Sequence, residues 1–242
     1  MGPRSADAVI TRRPRWRAYL LLARVSNLPT VWSNVLAGTM AGSAAAIDAG
    51  SAVRVLVAAS LFYTGGMFLN DAFDAELDAR ARPERPLPAG DVPRSEAFLI
   101  ASVLLVLALA LLGTAVSTLL WGAALAAAIT FYDYRHKGDA FAPVVMGACR
   151  GLVYCIAASA AGGVTTAAAA GAIIMVLYVT ALTIVAKLAG GNARWLVPLM
   201  IAAISLIDAG FVLTVTGNRS VALLAAIGFP ATLALQRLVP GD

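Results

Sequence analysis

Residues 97–132 read AFLIASVLLVLALALLGTAVSTLLWGAALAAAITFY, an apolar run without a charged residue. A spanning helix needs about 20 consecutive apolar residues, so this run is one very long helix or two helices joined by a tight turn. About a quarter of the residues in a soluble globular domain are charged. In this chain of 242 residues, 13% are charged, 60% are apolar and the mean hydropathy is +0.84. The chain is therefore predicted to be an all-α integral membrane protein.

Apolar windows long enough for spanning helices follow one another along the whole chain. They cover residues 18–41, 53–73, 96–113, 116–132, 140–162, 168–189, 195–215 and 220–239. No stretch between them is long enough for a separate soluble domain. We predict a single transmembrane domain over residues 18–242, a polytopic helix bundle of about eight spans, preceded by a cytoplasmic basic arm over residues 1–17.

The distribution of Lys and Arg decides between one and two helices in residues 96–132. With two helices there, fourteen of the 18 Lys and Arg residues lie on the side of the N-terminus, and Arg54 and Arg219 lie on the other side. Joining the helices would reverse every later loop and remove this asymmetry. Because Lys and Arg collect in cytoplasmic loops, we predict eight spans in a bacterial inner membrane, with both termini and the polar loops cytoplasmic.

Acidic residues are concentrated in one short segment directly after an apolar span. Asp71, Asp74 and Asp78 are spaced i, i+3 and i+7, and Asn70 lies four residues before Asp74. On a continuing helix these side chains share one face, where the like charges repel one another. Oxygen ligands without His or Cys suit Mg²⁺ or Mn²⁺, and Mg²⁺ takes one or two carboxylates and completes its shell with water and substrate phosphate. The segment therefore predicts a site for Mg²⁺ and a diphosphate.

A basic, proline-rich loop follows the acidic segment. Its prolines lack an amide N–H and fix φ, so the helix cannot continue far beyond Pro83. Arginine side chains in the loop can bind phosphate oxygens with two parallel hydrogen bonds. They belong to Arg80, Arg82 and Arg85. Two other interpretations remain open: these arginines pair with the acidic residues at the membrane interface, or they anchor the protein to anionic lipid.

One acidic residue falls inside a predicted span. Asp208 lies within the window 195–215, and an ionisable group there is costly and is by default a candidate functional residue. Its candidate partners are Arg24 and Arg150, which also fall inside spans. Asp208 could belong to a structural ion pair or act as a base that activates an acceptor.

The acidic segment and the loop together carry a family resemblance. Residues 61–90, LFYTGGMFLNDAFDAELDARARPERPLPAG, resemble the first aspartate-rich motif of the UbiA superfamily of intramembrane prenyltransferases, and most of all its EboC-like branch. Residues 23–38, ARVSNLPTVWSNVLAG, and residues 132–151, YDYRHKGDAFAPVVMGACRG, are similar to two further motifs of the superfamily. The resemblance covers about residues 20–190.

The resemblance implies a fold and an activity. It implies a UbiA-like helix bundle in which an isoprenyl group passes from a prenyl diphosphate to a small aromatic or other lipid-phase acceptor. Mg²⁺ is the implied cofactor, membrane lipid is the implied surrounding, and no nucleic acid partner is expected.

The resemblance also implies roles for individual residues. Asn70, Asp71, Asp74 and Asp78 would hold Mg²⁺, and Asp71 and Asp74 would take part in catalysis. Tyr132 would lie near the reacting carbon. The residues expected to bind the substrate are Asn27, Arg80, Arg85, Arg135, Lys137 and Arg194.

One motif of the superfamily is missing from this chain. Members usually carry a second D-x-x-x-D motif after the sixth helix, whereas residues 183–194 read TIVAKLAGGNAR, without an acid. We expect Lys187 to neutralise the diphosphate in place of a second metal ion and so to act in catalysis. Two alternatives remain open: a terpene cyclase of the same architecture, and a non-catalytic protein that binds or carries prenyl lipids.

Overall fold

The computed structural model describes residues 13–42, 48–135, 139–188 and 195–241, which form an all-α bundle. Within these ranges nine α-helices follow one another. They are α1 (Arg15–Leu22), α2 (Leu28–Met40), α3 (Ala49–Ala81), α4 (Arg94–Leu112), α5 (Val116–Arg135), α6 (Ala142–Ala160), α7 (Thr166–Leu188), α8 (Leu196–Thr216) and α9 (Arg219–Gln236).

Seven of the described helices, α3 to α9, are long and apolar enough to cross a membrane. They correspond to the seven predicted windows that begin with 53–73. Helices α4 and α5 are separated by a turn at residues 113–115, as the charge distribution predicts. Large apolar side chains such as Val106 and Leu177 point outward, with 64% and 65% of their surface exposed, which suits contact with lipid. The predicted polytopic membrane bundle is confirmed.

The first predicted window, 18–41, is divided rather than continuous. Helix α1 ends at Leu22, a 3₁₀ turn covers Val25–Asn27, and α2 then begins. Pro29 lies in the first turn of α2, and its ring would clash with the carbonyl four residues earlier if one helix ran through. Helix α1 also begins at Arg15, inside the segment 1–17 that the sequence assigns to the basic arm.

Helix α2 lies at the centre of the bundle and contacts α3, α6, α7, α8 and α9. Small residues allow the close approach. A Cβ atom on Gly38 of α2 would lie 2.8 Å from the carbonyl oxygen of Tyr154 in α6. Because α2 follows directly on the break at Arg24, the position of Arg24 is fixed by the packed centre of the molecule.

Helix α3 extends well past its predicted window, to Ala81. The acidic segment is therefore helical, as the spacing of its aspartates requires. The helix ends at Ala81, and its C-cap residue Arg82 lies directly before Pro83, which cannot continue the hydrogen-bonding pattern. The chain then turns through residues 83–92 and returns toward α3.

Candidate functional site

The acidic residues at the end of α3 divide between a buried and an exposed face. Asp71 and Asp78 are 6% and 4% exposed, and Asp74 between them is partly buried. Glu76 is exposed and pairs with Arg94 at an Nη1–Oε1 distance of 2.8 Å. The helix therefore separates the three aspartates from Glu76, as the spacing predicts.

Arg85 joins the two buried aspartates. Its Nη1 atom lies 3.4 Å from Asp71 Oδ1 and 2.9 Å from Asp78 Oδ2. It reaches both because the chain turns back after Arg82, whose carbonyl accepts a hydrogen bond from the Arg85 amide at 3.0 Å. Two carboxylates thus converge on one cationic nitrogen, which offsets their mutual repulsion.

Arg24 approaches the same site from the first helices. Its Nη2 atom donates a hydrogen bond to Asp71 Oδ1 at 2.9 Å. Arg24 has a φ of 43°, a left-handed conformation that costs a non-glycine residue roughly 1–2 kcal/mol. The break between α1 and α2 therefore places this guanidinium against α3. Arg24 was a candidate partner of Asp208, and the structure corrects this, because Arg24 contacts Asp71 and the hydrogen bonds to Asp208 come from Ser33, Asn34 and Tyr154.

A wide cavity of about 1030 Å³, here called the mouth, opens beside these residues. Its walls include residues of α1, the end of α3 and the turn after α3. Among the residues that the structure describes, five arginines line it: Arg13, Arg17, Arg24, Arg82 and Arg85. The acidic side chains among these lining residues are Asp71 and Glu84, so the described lining carries a net positive charge. Such a lining suits an anion with several oxygen atoms.

A second cavity of about 290 Å³, here called the inner cavity, lies within the bundle and is mostly apolar. It is lined by apolar residues of six helices, α2, α3, α5, α6, α7 and α8, among them Val31, Phe62, Leu125, Val153, Leu182 and Ile204. It shares Arg24, Ala186 and Val197 with the mouth, so the two cavities adjoin. Together they match a ligand with a charged head and an apolar chain.

Three of the predicted site residues lie at or beside the inner cavity. Asn27 is buried and lines it, and its Nδ2 donates to the carbonyl oxygen of Gly241 at 2.9 Å. Tyr132 of α5 also lines the cavity. Asn70 donates from Nδ2 to Asp133 Oδ1 at 3.1 Å, which connects α3 to α5.

Two predicted phosphate-binding arginines lie away from both cavities. Arg80 is exposed on α3, because two residues after Asp78 the helix has turned to another face. Arg135 is exposed at the end of α5, with its guanidinium 5.9 Å from the centre of the Phe131 ring. The geometry therefore supports Arg85 as a diphosphate ligand but does not bring Arg80 or Arg135 to the site.

The predicted replacement for the second metal ion is also exposed. Lys187 lies at the end of α7 and lines neither cavity, although Ala186 before it lines both. Consecutive residues of an α-helix point to different sides, so Lys187 does not face the cavities that Ala186 lines. The two remaining predicted cations, Lys137 and Arg194, lie outside the described residues.

The predicted Mg²⁺ ligands do not form a ready cage. Within the described ranges, no three or more His, Cys, Asp or Glu side chains are grouped closely enough to hold a metal ion. Asp71 and Asp78 turn toward Arg85 instead of toward a common empty point. Their chemistry still fits Mg²⁺, because this ion takes one or two carboxylates and completes its shell with water and substrate phosphate. Asp71 and Asp78 are the two carboxylates that already converge on a cation.

Asp208 of α8 is fully buried in a hydrogen-bonded network. Its Oδ2 accepts hydrogen bonds from Ser33 at 2.6 Å and from Asn34 Nδ2 at 2.7 Å, and its Oδ1 accepts one from the Tyr154 hydroxyl. Arg150, one of its two predicted partners, reaches Asp208 through Asn34. The sequence indicated Arg150 as a candidate partner of Asp208, and the two residues do belong to one hydrogen-bonded network. The side-chain amide of Asn34 lies between them.

The model of the UbiA prenyltransferase family matches residues 31–191. The chain is similar to a digeranylgeranylglyceryl phosphate synthase of Ignicoccus hospitalis, with 39% identity over 125 residues that cover 50% of this chain and 39% of that relative. It is similar to a digeranylgeranylglyceryl phosphate synthase of Methanopyrus kandleri, with 45% identity over 80 residues that cover 33% of this chain and 29% of the relative. The chain thus aligns with less than half the length of these relatives.

The fold is similar to that of a UbiA homologue from Archaeoglobus fulgidus, solved with GPP and Mg²⁺ bound. The TM-score is 0.63 at 16% sequence identity, and the match covers 91% of this chain and 86% of the other. At this identity the likeness establishes the fold. Since the family model covers more than half of the sequence, the chain belongs to the UbiA prenyltransferase family.

Proposed function

We propose that this chain transfers a prenyl group from a prenyl diphosphate to a lipid-phase acceptor within the membrane, with Mg²⁺ as cofactor. The observation that carries the proposal is the meeting of the arginine-lined mouth and the apolar inner cavity at Arg24. A diphosphate suits the mouth, and a prenyl chain suits the inner cavity. The relatives named as digeranylgeranylglyceryl phosphate synthases support this reaction class. They also favour a glyceryl phosphate lipid over a small aromatic compound as the acceptor.

The reaction breaks the bond between the first carbon of the prenyl group and the diphosphate oxygen, and the bonding electrons leave with the diphosphate. Arg24 and Arg85 are the residues we expect to bind the departing diphosphate and offset its growing charge. The acceptor forms the new bond to this carbon and loses a proton, so the products are the prenylated acceptor, diphosphate and H⁺. The apolar lining excludes water from the cationic carbon, and Tyr132 offers it an aromatic face.

Mg²⁺, when bound, would neutralise the diphosphate and improve it as a leaving group. Asp71 and Asp78 are the residues best placed to hold the ion, with Asn70 and Asp74 beside them. In the structure described above, Arg85 occupies the position between the two carboxylates. We therefore expect Arg85 to release them and contact the diphosphate when Mg²⁺ and substrate bind.

The proposal is tested by incubating purified protein with geranyl, farnesyl or geranylgeranyl diphosphate, Mg²⁺ and geranylgeranylglyceryl phosphate. Diphosphate release and prenylated product are measured together. We expect Asp71→Asn to lower both by at least about tenfold, because the variant loses a charged ligand of Mg²⁺. Asp48→Asn, which removes a carboxylate at the opposite end of α3, is the matched control. Diphosphate release together with a cyclised hydrocarbon, and without prenylated acceptor, would instead indicate a cyclase.

One observation favours a second candidate, a non-catalytic carrier of prenyl lipids. Helix α7 contributes Val179, Leu182, Thr183 and Ala186 to the inner cavity, and none of these supplies a carboxylate for a second metal ion. Tight binding of a prenyl diphosphate without its turnover, in the same assay, would support the carrier over the transferase.

We also propose that the mouth faces the cytoplasm, because α1 and the turn after α3, which line it, lie on the side of the membrane for which the sequence predicts most of the Lys and Arg residues. A prenyl diphosphate with its head in the aqueous phase would then enter from the cytoplasmic side.

A further inference from the structure

A guanidinium lies among the apolar side chains of the inner cavity, apart from the arginines of the mouth. It belongs to Arg150 of α6, which is partly exposed and lines the inner cavity but not the mouth. A charged group within a membrane protein is costly unless its surroundings compensate it, and it marks a functional site by default. The residues that contact the Arg150 guanidinium therefore bear on its function.

Arg150 is held from one side by neutral oxygens. Its Nη1 donates to Asn34 Oδ1 and its Nη2 to Thr30 Oγ1, both at 3.0 Å. Asn34 in turn donates from Nδ2 to Asp208 Oδ2 at 2.7 Å. No carboxylate of the described residues lies within 4.0 Å of Arg150. The nearest compensating charge that this network offers, Asp208, is therefore separated from Arg150 by an amide.

A tyrosine ring fixes the orientation of the guanidinium. Arg150 Cζ lies 5.5 Å from the centre of the Tyr63 ring, a favourable cation–π distance. The Tyr63 hydroxyl donates to the carbonyl oxygen of Arg24 at 3.5 Å. One tyrosine side chain thus separates Arg150 from the residue at which the two cavities meet. The guanidinium has five N–H donors, and Asn34 and Thr30 occupy two of them, so the others remain for a ligand in the cavity.

We infer that Arg150 binds an oxyanion, a phosphate or a carboxylate, carried by the prenyl acceptor. The inference deepens the proposed function and rests on it. The diphosphate of the donor is matched by the arginines of the mouth, and a prenyl chain needs no cation. A second, pre-oriented cation beyond the meeting point of the cavities therefore suits the other substrate. A planar guanidinium binds a phosphate or carboxylate with two parallel hydrogen bonds, which would position the acceptor beside the reacting carbon.

The test is equilibrium binding of three probes to the purified full chain. The probes are geranylgeranylglyceryl phosphate, geranylgeranylglycerol, which lacks the phosphate, and 4-hydroxybenzoate, which carries a carboxylate. We expect the wild type to bind the phosphate probe or the carboxylate probe at least about tenfold more tightly than the uncharged alcohol. Whichever of the two charged probes binds more tightly identifies the oxyanion. We expect Arg150→Gln to remove this preference, because the amide cannot form the paired charged hydrogen bonds.

Two controls separate loss of the site from loss of the fold. Arg54→Gln removes an exposed arginine of α3 that lines neither cavity, and it should keep the wild-type preference. Binding of farnesyl diphosphate with Mg²⁺ should be unchanged in Arg150→Gln. If that variant fails to bind farnesyl diphosphate, Arg150→Lys replaces it, since lysine keeps the charge but not the paired donors and should show a reduced preference.

The outcomes distinguish this inference from the proposed function. Equal binding of charged and uncharged probes by the wild type would overturn it, and so would an unchanged preference in the Arg150 variants. If the preference depends on Arg150 but no prenyl transfer is detected, the oxyanion site is supported and the transferase proposal fails.

Discussion

The arginines around the end of α3 differ in position although they share one motif. Arg80 lies on an exposed face of the helix, whereas Arg85 lies beyond Pro83, where the turning chain brings its guanidinium to Asp71 and Asp78. From the sequence alone, both residues were expected to bind the diphosphate. Their different positions follow from where the helix ends and how the chain turns.

We predict that Arg85→Gln weakens the binding of farnesyl diphosphate in the presence of Mg²⁺ by at least about tenfold. A charge-assisted hydrogen bond contributes about 1.5–3 kcal/mol, and a tenfold change in affinity corresponds to about 1.4 kcal/mol. Arg80→Gln, which removes the same charge two residues after Asp78, should change the affinity less than about twofold. Titration of each purified variant measures both values, and equal losses would contradict the assigned site.

At the scale of helices, α3 is defined by its two ends. Its acidic end carries the site, and its other end is capped by Asp48, whose Oδ2 accepts a hydrogen bond from the Ser51 amide at 2.8 Å. This hydrogen bond, together with one from the Ser51 hydroxyl, holds the pKa of Asp48 below its usual value. A carboxylate with a lowered pKa stabilises the folded state above its usual pKa and loses that effect as the pH falls through the lowered value.

Asp48→Ala should therefore lower the melting temperature at pH 7, and the difference from wild type should shrink as the pH falls through and below 3.8. Asp48→Asn keeps an oxygen acceptor at the cap position, so its smaller effect should not depend on pH. Thermal unfolding in one detergent across the pH range measures this. A difference that persists unchanged at acidic pH would contradict the capping role.

Helices α6 and α7 pack closely because Gly147 has no side chain. A Cβ atom on Gly147 would lie 2.5 Å from the carbonyl oxygen of Val176, whereas one on Gly210 in α8 meets no heavy atom within 4 Å. We predict that Gly147→Ala destabilises the protein by about 1–3 kcal/mol through overpacking. Gly210→Ala should be neutral or stabilising, since alanine favours a helix by about 1 kcal/mol over glycine. Thermal unfolding of the two variants checks this, and matching shifts would refute it.

At the scale of the whole molecule, the site joins two cavities with opposite character. The mouth is lined mainly by α1, the end of α3 and the turn after it, with single residues of α7 and α8, and the inner cavity is lined by six helices that are distant in sequence. The break in the first window places Arg24 between them. The proposed chemistry needs an anion site beside an apolar chamber that excludes water, and the arginine-lined mouth next to the apolar inner cavity suits both needs.

Orientation is a property of the whole molecule and can be tested by labelling. Glu84→Cys places a thiol at the mouth. Ser220→Cys places one at the start of α9, which the charge distribution assigns to the opposite side of the membrane. A membrane-impermeant maleimide should label Ser220→Cys in intact cells and Glu84→Cys after lysis. The wild type, with Cys155 buried and Cys149 partly buried, gives the background. The reverse pattern would invert the proposed topology.

The sequence by itself determined the features that depend on neighbouring residues. Long apolar runs predicted the bundle, and the distribution of Lys and Arg predicted that α4 and α5 are separate helices. The i, i+3, i+7 spacing placed Asp71, Asp74 and Asp78 on one face of α3. Hydropathy and helical periodicity are local properties, so they can be read along the chain.

The tertiary structure alone decided which charges meet. It joined Arg24 and Arg85 to the aspartates, left Arg80, Arg135 and Lys187 exposed, and linked Arg150 to Asp208 through Asn34. These contacts depend on how helices distant in sequence pack around α2 and on a backbone break at a single residue. Local pattern does not contain that information, because ionic contacts depend on distances in space rather than on separation along the chain.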